Sequence, residues 1–219
     1  MTRTRGTLIF ARLVAAIFSA TFFPALCFVI LFTMTFYNLL PRDVKLWILS
    51  LVCIGTMLLP AMITGLYHHI RSHFGHHALL RRRDQIIPHI VHIACYLFTL
   101  HQLNSVHVPR IMTLVIFGSL VLQVLCLVIA IFWRISNQTA GIGAFIGMLF
   151  IYSELFRFYP ITWICWALLA FGLVGSCLVY LRVHTVPQVT GGLLLGVVVS
   201  YKVLDWSIKS QEILDYISF

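Results

Sequence analysis

The chain has 219 residues, of which 61% are hydrophobic and 10% charged, and its mean hydropathy is +0.99. A soluble domain carries about 25% charged residues, so this composition excludes a water-coated globule and predicts one all-α integral membrane domain over residues 1–219. The net charge of +9 would suggest nucleic acid in a soluble protein; here basic residues flank apolar runs and suit lipid headgroups or phosphates instead.

A helix needs about 20 apolar residues to cross the hydrocarbon. Seven stretches qualify, at about 13–38, 46–69, 86–104, 110–133, 139–158, 160–181 and 187–206, which predicts a bundle of about six to seven transmembrane helices. The head "MTRTRGTLIFARLVAAIFSATFF" has the basic start of a secretory leader. Phe18 spoils the small-x-small pattern before Ala20, so the stretch is expected to remain as the first span, kinked at Pro24. Pro41, Pro88, Pro109, Pro160 and Pro187 fall at or near span starts or in loops, where a missing donor costs little. An arginine-rich loop is expected at about 70–85, and "FRFYPIT" reads as a tight hairpin. The tail "SIKSQEILDYISF" is expected to form a short amphipathic interfacial helix over 207–219. Trp47, Trp133, Trp163, Trp166 and Trp206 lie mostly near span ends, as an aromatic belt does. The six cysteines sit in apolar runs with no Cys-x-x-Cys pair, and read as small hydrophobes.

Alternating spans put Arg3, Arg5, Arg12, Arg71, Arg81, Arg82, Arg83, Arg134 and Arg182 on one face. Arg42, Lys45, Arg110, Arg157, Lys202 and Lys209 fall on the other. The positive-inside rule makes the first face cytoplasmic, although a phosphate site would also collect arginines there. That face carries three polar runs: "RRRDQIIPHI" at 81–90, "WRISNQTAGIGAFIG" at 133–147 and "LRVHTVPQVTGGLLLG" at 181–196. Each precedes or opens a span. Helix N-termini offer unpaired amides and partial positive charge, so three of them beside arginines would make a concave anion site.

In order and placement these runs resemble the type 2 phosphatidic acid phosphatase (PAP2-like) superfamily, and within it a divergent bacterial branch of small membrane proteins. The likeness rests on Ile86-Ile87-Pro88, then Ser136, Thr139, Ala140, Gly141 and Gly143, then His184, Thr185, Gln188, Val189 and Gly192. It extends over most of the chain, including "LPRDVKLW". The resemblance implies a phospho-histidine mechanism on a lipid phosphate or pyrophosphate, with no metal or other cofactor, in a bacterial inner membrane. His184 matches the catalytic nucleophile. Arg81, Arg82, Arg83, Arg134, Arg182, Ser136, Gln138 and Gln188 are the candidate phosphate-binding residues.

The motif positions depart from the family pattern in a chemically specific way. Gln188 stands where the aspartate that orients the nucleophile is expected. Leu178 replaces an arginine, and Cys177 the serine before it. Ser136-Asn137-Gln138 replaces Ser-Gly-His, and a glutamine cannot serve as the leaving-group acid. Leu80 and Ile87 replace the cations of the first motif; only Pro88 stays in register. These losses set a non-enzymatic reading, a lipid-binding or structural subunit of an envelope complex, beside the enzymatic one.

Each candidate also has a purely structural reading. His184 can end a span, Arg81–Arg83 can set topology, and Ser136 can cap a helix. Gly143-x-x-x-Gly147 and Gly192-x-x-x-Gly196 can let helices pack closely. A third functional reading rests on "YHHIRSHFGHH" at 67–77, where His69, His73 and His76 or His77 would share a helix face and hold a metal or haem, with His89 and His92 nearby. No carboxylate supplies a second shell there, and Gly75 interrupts the helix, so an interfacial histidine patch is the expected form.

Overall fold

The computed structural model describes Gly6, Phe10, Ala11, Val14, residues 21–73 and residues 83–217, with the side chains of 68, 70–73, 83–85 and 211–217 outside that description. Among the described residues every regular element is helical. Helix α1 spans Phe22–Met34 and is followed by a 3-10 turn, Phe36–Leu39. Helix α2 (Arg42–Cys53) runs through a π-helical turn, Ile54–Leu58, into α3 (Leu59–His73). Then come α4 (Arg83–Ser105), α5 (Arg110–Phe132), α6 (Asn137–Phe156), α7 (Ile161–Tyr180) and α8 (Val186–Ile217).

Six segments are long and apolar enough to cross a bilayer: Arg42–Tyr67, Ile86–Ser105, Arg110–Phe132, Asn137–Phe156, Ile161–Tyr180 and Val186–Ser210. They correspond to the second through seventh predicted spans. The first is only partly described, and its helix ends at Met34 rather than 38 because Thr35 leaves helical geometry. Pro24 lies in the first turn of α1, and a kink upstream of it falls outside the described residues. Two further boundaries differ from expectation. Helix α4 begins at Arg83 and α3 runs to His73, so both encroach on the predicted loop 70–85, and Pro88 lies inside α4. The tail is helical through Ile217 but continues α8 without a break, since no glycine or proline follows Gly196 and Lys209 pairs with Asp205 one turn back at 2.8 Å. At 32 residues, α8 is about 48 Å long and outreaches a hydrocarbon core of about 30 Å.

Helix α6 is the centre of the bundle. Its span is 67% buried within the protein, against 28–39% for the other five. Small residues make this possible. Gly143 and Gly147 of α6 face α8, and Gly192 and Gly196 of α8 face α6. A Cβ on Gly147 would stand 2.6 Å from the Val197 carbonyl oxygen, and one on Gly192 would stand 2.7 Å from the Ser136 carbonyl oxygen. Gly143 and Gly196 meet the carbonyls of Leu193 and Ala140 more closely still. Without a hydrophobic drive between helices in lipid, such backbone-to-backbone packing supplies the attraction. The pairing ascends together along both helices, so α6 and α8 run parallel and begin side by side.

The outer helices are held more lightly. The π-helical turn places Gly55 against the Thr99 side chain of α4, where a Cβ would overlap it. At the far end of the α6–α8 pair, the Tyr201 hydroxyl donates to Glu154 Oε1 at 3.0 Å. Large apolar side chains such as Phe132, Leu169 and Trp166 point outward, as they do where lipid is the solvent.

Gly147→Ala should lower the melting temperature in detergent, by the equivalent of about 1–3 kcal/mol of overpacking. Gly172→Ala, whose added Cβ would meet nothing within 4 Å, should leave it unchanged or raise it. Thermal unfolding followed by circular dichroism checks both.

Candidate functional site

Three local structures build one corner of the bundle. Helix α7 ends in a Schellman motif: the Arg182 N–H donates to the Val179 carbonyl at 3.0 Å and the Val183 N–H to the Leu178 carbonyl at 3.1 Å. Arg182 takes the left-handed position, at φ 56°, where glycine is usual. Leu178, standing where the resemblance expects an arginine, is buried in the core. Helix α8 then opens on one half of a capping box. Thr185 is its N-cap, and Gln188 Oε1 accepts the Thr185 N–H at 3.0 Å. Pro187 in the first turn sacrifices an amide that would have had no helical partner anyway.

Helix α6 opens beside it. Ser136 is the N-cap, and its hydroxyl oxygen accepts the Thr139 N–H at 3.4 Å. The Ser136 N–H donates to the Gln188 carbonyl at 3.3 Å, which ties the two helix starts together. Two parallel helices thus aim the positive ends of their dipoles at the same place. Between them and the end of α7 lies an open depression of about 480 Å³, lined by Arg134, Arg182, His184, Thr185 and Gln188 with Val179, Val183 and Val186.

His184 is the group that changes charge here. Its ring is largely buried, and that burial pushes it below the usual histidine range. Contact with the Arg134 backbone and the Gln188 side chain opposes the shift, and the Arg134 guanidinium adds to it. Nδ1 is left buried without a partner of hydrogen-bonding geometry. The two guanidiniums are exposed at the rim. The depression therefore offers a neutral imidazole, two fixed cations and two helix N-termini, which together suit an anion.

No family model, curated protein or solved structure matches this chain. The site rests on its geometry alone.

Of the predicted site residues, Arg134, Arg182, His184 and Gln188 converge. Ser136 lies beneath them, wholly buried, with its oxygen engaged as a cap. Gln138, in the first turn of α6, is not among the lining residues. Arg81 and Arg82 lie outside the described residues, as does the side chain of Arg83, whose backbone begins α4. The 67–77 histidine run is only partly described, with His69 exposed on α3 and residues 74–77 outside. Among the described residues no three His, Cys, Asp or Glu side chains gather closely enough for a metal, and the six cysteines are free. Sequence reasoning missed the Ser136–Gln188 tie, which no local pattern announces. It also passed over Gln123, an amide in the middle of the apolar run 110–133 that stands out once charge-free spans are searched for polar residues.

Gln188→Ala should cost about 1 kcal/mol through loss of this capping bond, and Gln188→Glu should restore it, as read by thermal unfolding. For pH, a folded state that disfavours protonated His184 is unaffected while the unfolded histidine, at 6.5, is neutral. Below that value the unfolded chain binds a proton that the fold resists, so stability is lost as pH falls from about 7 to 5. The melting temperature of His184→Asn should fall less over that window than that of the wild type.

Proposed function

We propose that this chain is an integral membrane protein that binds the phosphate or pyrophosphate headgroup of a lipid in the depression formed by Arg134, Arg182, His184 and Gln188. The observation that carries this reading is the convergence of two exposed arginines and an imidazole with an unpartnered Nδ1 on the paired starts of α6 and α8. Such a set matches a phosphate's charge and its several acceptor oxygens. Six segments long and apolar enough to cross a bilayer start or end near this corner's level, which supports a place among lipid headgroups. The motif order of the PAP2-like family, in a bacterial inner membrane, is the proposed kinship.

Binding is better supported than turnover. A lowered pKa keeps His184 neutral near pH 7, as a nucleophile must be. Gln188, however, spends its side-chain oxygen on the Thr185 amide and brings no negative charge to steady an imidazolium. Among the described residues lining the depression, none besides His184 itself could act as a general acid. The same substitutions favour a second reading, a lipid-binding subunit of an envelope complex that has lost catalysis.

Purified protein in nanodiscs, presented with phosphatidate, a polyprenyl pyrophosphate, a lipid A phosphate or phosphatidylcholine, separates these readings. Phosphate-bearing lipids with exposed terminal phosphate should bind more tightly than phosphatidylcholine. Arg134→Ala and Arg182→Ala should each weaken that preference about tenfold or more, the worth of a charge-assisted hydrogen bond, and added salt should weaken it further. Equal affinity for phosphatidylcholine, or indifference to both substitutions, overturns the proposal. Phosphate release that disappears in His184→Ala makes the site catalytic; release that survives excludes His184 as nucleophile.

A further inference from the structure

Gln123 lies in the middle of α5 with 3% of its surface exposed, and among the described residues neither Oε1 nor Nε2 has a partner of hydrogen-bonding geometry. His89 of α4 stands close enough to interact with the Gln123 amide, but its Nδ1 is likewise buried without a partner of hydrogen-bonding geometry among the described residues. An unpaired buried polar group costs about 1–3 kcal/mol, and hydrocarbon offers nothing to relieve it. The Gln123 side chain lines a small pocket where five helices meet, with Cys27 of α1, Tyr96 of α4, Asn137 of α6 and Ser200 of α8 around it. The free volume is about 20 Å³. That admits one water molecule, which needs at least about 10–15 Å³, and no lipid or nucleotide.

The lining decides the class of guest. Among the described residues no charged side chain lines it, so a metal ion or a phosphate would lack counter-charge. Amides and hydroxyls both donate and accept, which is what a neutral water requires. We propose that this pocket is a buried water site within the membrane, in which the Gln123 amide holds one ordered water where five helices meet.

X-ray radiolysis of the full chain in detergent, read by mass spectrometry, tests this because hydroxyl radicals form from bound water and oxidise what touches it. Met148 lines the pocket and Met112 lies in the core away from it, and both are almost wholly buried. Met148 should oxidise several-fold faster than Met112, and Gln123→Met should bring it down to the Met112 rate. Equal, slow oxidation of the two methionines in the wild type means a dry pocket and overturns the proposal. Thermal unfolding gives an independent reading. Gln123→Met strands a resident water and should lower the melting temperature, whereas in a dry pocket it removes two unpaired atoms and raises it.

Discussion

The glycine-lined contact between α6 and α8 is the constraint on which the rest depends. A bilayer removes the hydrophobic incentive for two helices to associate, so attraction must come from close atomic packing. Gly143, Gly147, Gly192 and Gly196 let carbonyl oxygens of each backbone stand where a side chain would otherwise be. Because the two helices run parallel and in register, their first turns lie side by side, and the Ser136–Gln188 bond joins them. Everything at the anion depression follows from that alignment: α7 must return its chain to the same place, and its C-cap delivers Arg182 and His184 there.

The motif residues divide between scaffold and surface. Ser136, Gln188 and Arg182 serve the backbone: one caps α6, one caps the start of α8, and one takes the left-handed turn out of α7. These are short-range duties, and each satisfies groups that a helix end cannot satisfy alone. Arg134 and His184 carry no such duty. Their conjunction, an exposed guanidinium beside a partly buried ring, is what gives the corner its chemistry. A glutamine that caps a helix start is poorly placed to act as an aspartate would on the neighbouring histidine.

Elsewhere the bundle follows the membrane's demands. Serine and threonine hydroxyls return to carbonyls of their own helix, as Thr99 does to Cys95 at 2.8 Å and Ser119 to Val115 at 2.9 Å. The Tyr201–Glu154 bond lies toward the opposite face, where water can reach it. Trp133 closes α5, and Trp163 and Trp166 lie in the first turns of α7, in keeping with an interfacial belt.

Hydropathy alone determined that the chain crosses a membrane and where six of its crossings lie, because each span must satisfy its own backbone over about 20 residues. Local spacing also made the close approach at the two Gly-x-x-x-Gly pairs and the Ser136 cap legible, since both involve neighbours within a turn or along one face. The helical tail was legible as well; that it continues α8 without a break follows from the absence of a glycine or proline after Gly196. Only the tertiary structure decided that Arg134, Arg182, His184 and Gln188 share one depression and that Gln123 lines a pocket where five helices meet. Those residues lie far apart in the chain, and which helix ends meet is settled by packing between faces that no short-range pattern encodes.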